Sequence, residues 1–120
     1  MKTVLVVDDM AFMRLALTQM LEKNDYKVIG EAENGEEAVR KYLEYTPDIV
    51  TMDITMPRMT GIEATKAILR QDSKAKIVIV SAMGQESFVK EAILSGAKYF
   101  VVKPFKEDKV ITTLNKVAGL

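Results

Sequence analysis

The sequence contains no histidine, no cysteine and no tryptophan. Without imidazole or thiol groups, the chain cannot build a serine–histidine or cysteine–histidine nucleophile, and it lacks the ligands of nearly all zinc sites. Any bound metal ion must therefore be held by oxygen atoms. The absence of cysteine is also compatible with the reducing cytoplasm, where we expect this protein to work.

The chain also lacks an excess of charge of either sign, because 17 Lys and Arg balance 17 Asp and Glu. Nucleic-acid-binding modules normally carry a basic excess on one face, so we expect no nucleic-acid partner. Long apolar runs are missing as well. The run at 4–7 is too short for a signal peptide, and no run reaches membrane-spanning length, so we expect no membrane association. The 120 residues fit one domain, 1–120.

Short apolar runs alternate with stretches of helical periodicity. Four runs are predicted to be strands buried on both faces: 4–7, 49–52, 77–80 and 99–102. Residues 26–32 alternate more and suit an edge strand. Helical stretches lie between and after these runs, near 11–21, 38–43, 59–70, 85–94 and 110–117. Asn34 followed by Glu37 resembles a capping box, and Gly96 suits a helix end.

Strict alternation of five strands and five helices predicts an α/β fold with a doubly wound parallel sheet and right-handed crossovers. The sequence does not contain the strand order. We take the flavodoxin-like order 2-1-3-4-5 from known five-stranded folds of this type. In that order the first and third strands are neighbours, and ligands bind at the carboxyl ends of the strands.

Chemically active residues follow the apolar runs. They are Asp8 and Asp9, Asp53, Ser81 and Lys103. Each alone has an ordinary explanation, because Asp9 or Ser81 could cap a helix and Lys103 could extend into solvent. Together they are harder to explain structurally. Close carboxylates repel one another unless a cation joins them, so the group indicates a functional site.

An all-oxygen cluster in an open crevice favours Mg²⁺ over Ca²⁺, because Mg²⁺ takes one or two carboxylates, several waters and phosphate oxygens. With Lys103 opposite the ion, a phosphoryl group could be neutralised from two sides. Asp53 is central and could act as the nucleophile that forms an aspartyl phosphate. A flavin- or nucleotide-binding loop is disfavoured, because the first strand is followed by acidic residues rather than by Gly, Ser or Thr.

Four segments carry a resemblance to a known family. They are VLVVDD at 4–9, DIVTMDITMPRMTG at 48–61, IVIVSA at 77–82 and VVKPF at 101–105. With these segments in this order, the whole chain resembles the receiver domain of bacterial two-component response regulators. The resemblance implies that Asp53 is phosphorylated by a sensor histidine kinase.

The same resemblance implies roles for the neighbouring residues. The implied Mg²⁺ ligands are Asp8, Asp9, Asp53 and the backbone carbonyl of Thr55. The hydroxyl of Ser81, the amide of Ala82 and the ammonium of Lys103 are implied to contact the phosphoryl group, and the Lys103–Pro104 bond is implied to be cis. Thr55 and Met83 occupy positions that vary in the family and tune dephosphorylation.

Phe100 matches an aromatic switch position that is often Tyr, so here the switch would depend on packing alone. Ordinary strand packing is the alternative for Phe100 and Tyr99. The implied output surface includes Lys90, Tyr99, Phe100 and Lys109.

We expect a monomeric, stand-alone receiver that signals through another protein, since 120 residues leave no room for an output domain. The stretches MDITMP and SAMGQ resemble single-domain chemotaxis regulators, whose partner is a flagellar motor switch protein. The alternatives are a receiver of a non-chemotaxis phosphorelay, a small aspartate-nucleophile phosphatase, or an interaction module that is not phosphorylated. The phosphatase is disfavoured because its motif is Asp-x-Asp. We therefore expect a signalling domain that catalyses only its own phosphorylation and dephosphorylation.

Overall fold

The computed structural model describes residues 1–82 and 85–120. Within these residues, five strands alternate with five helices, as predicted. The strands are β1 (Lys2–Val7), β2 (Tyr26–Ala32), β3 (Ile49–Asp53), β4 (Ile77–Ala82) and β5 (Tyr99–Lys103). The helices are α1 (Ala11–Lys23), α2 (Gly35–Tyr45), α3 (Gly61–Gln71), α4 (Glu86–Leu94) and α5 (Glu107–Ala118).

The five strands form one parallel sheet in the order β2-β1-β3-β4-β5, which confirms the flavodoxin-like order. In the pairing of β1 with β3, Val7 lies opposite Met52. In the pairing of β3 with β4, Asp53 lies opposite Val80. Asp8, Asp53 and Ser81 consequently lie at the same edge of the sheet, because the carboxyl ends of parallel strands face one way.

Two apolar layers cover the sheet, one on each face. Successive side chains of β1 alternate between them: Leu5 and Val7 pack with α2 and α3, whereas Val4 and Val6 pack with α1 and α5. All four side chains are at most 2% exposed. Burial on both faces explains why β1 is a continuous apolar run rather than an alternating one.

The prediction that 99–102 is buried on both faces is wrong. Val101 is 1% exposed, but Tyr99, Phe100 and Val102 are 39%, 45% and 40% exposed. β5 is an outer strand of the sheet, paired with β4 on one side, and α4 leaves one of its faces partly uncovered. The β-rich composition of this run therefore reflects strand formation, whereas its exposure is decided by its place in the sheet.

The helix ends near the site are set by local hydrogen bonds. The expected capping box at Asn34 is half formed: its Oδ1 accepts from the Glu37 amide at 2.9 Å, but the Glu37 carboxylate pairs with Lys41 instead. A complete capping box occurs at Thr60 and Glu63, at the start of α3. α4 ends at Leu94, and Gly96 follows with a φ of +112°, as expected for a helix end.

The loop from β3 to α3 returns close to its own start. A Cβ on Gly61 would lie 1.9 Å from the carbonyl oxygen of Asp53, and the Gly61 amide donates to the carbonyl of Ile54 at 2.8 Å. Only glycine at this position therefore allows the start of α3 to pack so closely against the backbone of Asp53. Among the described residues, no helix combines the length and apolar content that crossing a membrane requires.

Candidate functional site

The structure brings the three predicted acidic residues together. Carboxylate oxygens of Asp8, Asp9 and Asp53 all lie within 4.8 Å of one another. Asp8 and Asp53 are buried, at 1% and 6% exposed, whereas Asp9 is exposed. The adjacency of β1 and β3 creates this cluster, because it places the ends of two strands side by side.

The two buried carboxylates are held by hydrogen bonds and by an ammonium group. Asp8 Oδ1 accepts from the Met10 amide at 2.9 Å, and Asp53 Oδ1 accepts from the Ile54 amide at 2.8 Å. Lys103 Nζ lies 2.8 Å from Asp8 Oδ2 and 3.6 Å from Asp53 Oδ2. The ammonium was expected opposite a metal ion, but here it sits within the acidic cluster and bonds to a predicted metal ligand.

The alternative explanation for Asp9 as a helix cap is not supported. Met10 is the N-cap residue of α1, and within 1–82 and 85–120 no side chain makes a capping hydrogen bond at this helix end. Instead, Arg14 of α1 donates to the carbonyl of Asp8 at 2.6 Å and pairs with Glu31 at 2.9 Å. Sequence analysis missed Arg14 because its helical position alone does not show that it reaches the end of β1.

The cluster carries more negative than positive charge, since three carboxylates face one ammonium group. Burial raises the pKa of Asp53 to about 6, with a further upward contribution from the charge of Asp8. Lys103 and the Ile54 amide lower the pKa but do not cancel the increase. A raised carboxyl pKa means that the ionised form lacks compensating positive charge. The all-oxygen donor set can hold a hard divalent cation, which would supply that charge.

Ser81 lies beside the cluster at the end of β4, one residue after the partner of Asp53. The residue is 1% exposed, and its hydroxyl has no hydrogen-bond partner among the described residues. A buried hydroxyl without a partner is uncommon, because its desolvation is uncompensated. Here it leaves a donor without a partner on the residue that follows Val80, the partner of Asp53 in the sheet.

The amide of Ala82 already has a partner in this structure. It donates to Oε1 of Gln85 at 2.9 Å, and Nε2 of the same side chain donates to Oγ1 of Thr55 at 2.7 Å. Sequence analysis assigned no role to Gln85, because the SAMGQ stretch that contains it does not show that its side chain joins β4 to the loop after β3. The expectation for Met83 falls outside the described residues.

The expected switch residue borders a cavity that also reaches Ser81. This cavity has a volume of about 360 Å³, and Ser81, Val89, Phe100 and Val102 contribute to its lining. Phe100 is half-exposed at its mouth. The Lys103–Pro104 peptide bond is cis, as the resemblance implied. The expected output residues are all exposed, and they lie on α4, β5 and α5: Lys90, Tyr99, Phe100 and Lys109.

Comparison with known proteins decides the family. The family profile described as "Response regulator receiver domain" matches residues 4–115. The chain belongs to the response regulator receiver domain family. This receiver domain is 58% identical over 117 residues to the chemotaxis protein CheY of Thermotoga maritima, covering 98% of both chains. It is 55% identical over 113 residues to CheY of Bacillus subtilis, covering 94% of both.

Solved structures agree with this assignment. A chain in the crystal structure of the CheX–CheY–BeF3–Mg²⁺ complex from Borrelia burgdorferi superposes on the receiver domain with a TM-score of 0.92 and 42% identity, covering 97% of this chain and 88% of that one. The response regulator domain of Thermotoga maritima CheB gives a TM-score of 0.91 and 35% identity, with coverage of 99% and 97%. The receiver domain is therefore of a signalling family rather than a classical enzyme family.

Proposed function

We propose that the protein is a chemotaxis response regulator that takes a phosphoryl group from a sensor histidine kinase onto Asp53. The proposal is supported above all by the meeting of three carboxylates and the Lys103 ammonium at the carboxyl ends of β1, β3 and β5. Asp53 is the central member of this group. With a pKa of about 6, it is mostly ionised at pH 7 and so available as a nucleophile.

Oδ1 of Asp53 accepts a hydrogen bond from the Ile54 amide, whereas Oδ2 faces the Lys103 ammonium, so we take Oδ2 as the attacking oxygen. In the proposed transfer, Oδ2 attacks phosphorus and forms a P–O bond while the P–N bond of the phosphohistidine breaks. The imidazole nitrogen leaves with the bonding electron pair. The transferred group carries negative charge, and Lys103 Nζ, 3.6 Å from Oδ2, is close enough to pair with it.

Two further donors on β4 serve the phosphoryl group in this proposal. The hydroxyl of Ser81 is buried without a partner and gains one when a phosphoryl oxygen arrives. The Ala82 amide is the second donor, at the end of the same strand. Both lie beyond the position that pairs with Asp53, so short movements bring them to its phosphorylated form.

Mg²⁺ fits the donor set, which consists of oxygen atoms and carries more negative charge than Lys103 offsets. Asp8, Asp9, Asp53 and the backbone carbonyl of Thr55 are the residues that would hold it. When bound, Mg²⁺ supplies positive charge to the carboxylates and to the phosphoryl oxygens.

Phosphorylation then changes the affinity for a partner. In this proposal Ser81 moves towards the phosphoryl group, and Phe100 moves inward into the cavity that both residues line. The changed surface includes the exposed residues Lys90, Tyr99 and Lys109. The relatives named CheY support a chemotaxis role, for which we propose a flagellar motor switch protein as the target and a chemotaxis kinase as the donor. We propose that residues 1–120 act as a monomeric receiver domain.

Acetyl phosphate tests the central claim without a kinase. With Mg²⁺ we expect one phosphoryl group per chain by intact-mass spectrometry, labile to hydroxylamine and absent from Asp53→Ala. Asp108→Ala, which removes an exposed aspartate from the first turn of α5, is the matched control and should be labelled normally. Label on Asp53→Ala, or none on the wild type, would contradict the proposal.

Turnover and partner binding test the remaining parts. A small phosphatase would release many equivalents of phosphate from phosphorylated substrates, whereas a receiver should be modified once per chain. A pull-down of motor switch proteins with beryllofluoride-treated and untreated protein tests the target. Equal capture in both states would argue against phosphorylation-dependent signalling to the motor, whereas no capture in either state would favour another phosphorelay.

A further inference from the structure

Gln85 connects the loop after β3 to the end of β4. Its Oε1 accepts from the Ala82 amide at 2.9 Å, and its Nε2 donates to Thr55 Oγ1 at 2.7 Å. Thr55 lies two residues after Asp53, and Ala82 directly follows Ser81. One side-chain amide therefore joins the loop after β3 to the end of β4, using both of its polar atoms.

We propose that Gln85 is a positioning residue that holds the unphosphorylated state by occupying the Ala82 amide, and that a phosphoryl group must displace it. This inference rests on the proposed function, in which the Ala82 amide donates to the phosphoryl group. An amide N–H makes one strong hydrogen bond at a time, so the Gln85 carbonyl oxygen and a phosphoryl oxygen compete for the same donor.

The place of Gln85 in the chain links this competition to α4. Gln85 is the N-cap residue of α4, yet its side chain makes no capping hydrogen bond because it is engaged with Ala82 and Thr55. Displacement by a phosphoryl group frees this side chain and releases the link between the start of α4 and the β3 loop. α4 also contributes Val89 to the cavity beside Phe100, so the bridge connects the phosphorylation site to the proposed switch.

Beryllofluoride with Mg²⁺ is a suitable probe, because it mimics a bound phosphoryl group without a chemical step. Gln85→Ala removes the competitor, and we expect it to bind beryllofluoride about three- to tenfold more tightly than the wild type in calorimetric titrations. Gln85→Glu keeps an acceptor for the Ala82 amide and adds negative charge beside an anion, so it should bind more weakly than the wild type. Gln19→Ala, which removes an exposed glutamine from α1, should bind as the wild type does.

The diagnostic result is a change in beryllofluoride affinity of opposite sign for the two Gln85 variants, because damage to α4 alone would weaken binding in both. Unchanged or weaker binding by Gln85→Ala would overturn the proposal, as would equal shifts for both variants. Thr55→Val removes the hydroxyl at the other end of the bridge and should tighten binding by a smaller factor than Gln85→Ala.

A second measurement judges the bridge without any phosphoryl mimic. In the untreated protein, the Ala82 amide should exchange with solvent faster in Gln85→Ala than in the wild type, and it should stay protected in Gln85→Glu. Equal exchange in all three proteins would overturn the bridge. A wild type that binds no beryllofluoride would instead contradict the proposed function, and the competition with it, while the exchange data still decide whether the bridge exists.

Discussion

Lys103 Nζ donates a 2.8 Å hydrogen bond to Oδ2 of Asp8, a residue 95 positions away in the chain. The two residues lie at the ends of β5 and β1, which are separated in the sheet by β3 and β4. The ammonium thus reaches across the crevice and partly neutralises a carboxylate that we propose as an Mg²⁺ ligand. We therefore expect metal binding and the Lys103 ion pair to compete for Asp8.

Replacing Lys103 with Gln should strengthen Mg²⁺ binding. The substitution removes a positive charge that lies 2.8 Å from Asp8 Oδ2. We expect the free energy of Mg²⁺ binding to become more favourable by about 1 to 2 kcal/mol, which is about tenfold in affinity. Titration calorimetry in the absence of phosphoryl donor measures it. Lys74→Gln, at the opposite end of the sheet, is the control with the same charge change. Unchanged Mg²⁺ affinity in Lys103→Gln would show that the ion pair does not compete with the metal.

Removing the Asp53 charge should stabilise the metal-free protein at neutral pH. Because the pKa of Asp53 is raised to about 6, its contribution to stability is present below the unfolded pKa and is lost as pH rises through about 6. A shift of this size corresponds at most to about 3 kcal/mol, and solvent at the open crevice screens part of it, so we expect about 1 to 2 kcal/mol.

Urea unfolding of Asp53→Asn and wild type measures this difference. The variant should be more stable at pH 7.5, and the difference should decline as the pH falls through about 6 towards the unfolded pKa of 3.8, below which the two proteins should be nearly equal. Saturating Mg²⁺ should favour the wild type and reduce the difference at pH 7.5. If the variant were less stable than the wild type at pH 7.5 without metal, the ionised Asp53 carboxylate would not destabilise the folded protein as we expect.

Asp9→Ala should weaken Mg²⁺ binding with little effect on folding. Asp9 is exposed, so its side chain adds little to the core, but its carboxylate lies within the 4.8 Å cluster. We expect a loss of about tenfold or more in affinity by calorimetry, as is common when a metal site loses a supporting group. Glu33→Ala removes an exposed acid just after β2, outside the cluster, and should leave the affinity unchanged. Equal affinity for Asp9→Ala and the wild type would exclude Asp9 as a ligand.

Ser81→Ala should stabilise the unphosphorylated protein and weaken its binding of beryllofluoride. The hydroxyl is buried without a partner, so its removal should raise the free energy of unfolding by about 1 kcal/mol. Thr51 on β3 also carries a buried hydroxyl without a partner among the described residues, which makes Thr51→Val a matched control. The control should show the gain in stability but bind beryllofluoride normally. If both variants bind beryllofluoride equally well, the Ser81 hydroxyl does not donate a hydrogen bond to the phosphoryl group.

Phe100→Trp should report on the proposed switch, because the chain has no other tryptophan. An indole at this half-exposed position should shift its emission to shorter wavelength when beryllofluoride and Mg²⁺ are added, since inward movement transfers it from water to the apolar cavity. Tyr99→Trp, at the adjacent position on β5, serves as the control and should shift less. An unchanged emission maximum in Phe100→Trp would argue against inward movement at this position.

The sequence was sufficient to predict the elements that depend on local pattern and on burial between two layers. The runs 4–7 and 49–52 form β1 and β3 as expected, because strands covered on both faces need apolar side chains at every position. It was not sufficient for Phe100 and Val102, which have the same β-forming composition but lie on an outer strand. Exposure of such a strand depends on which helix covers it.

By itself, the sequence determined which residues end the strands: two acids after β1, one at the end of β3, a hydroxyl on β4 and a lysine at the end of β5. Those positions follow from chain order, because each polar residue comes where an apolar run stops. Only the tertiary structure decided that Lys103 bonds to Asp8, that burial raises the pKa of Asp53, and that Gln85 joins Ala82 to Thr55. These features depend on side chains from separate segments meeting in space, and no periodicity along the chain encodes such distances.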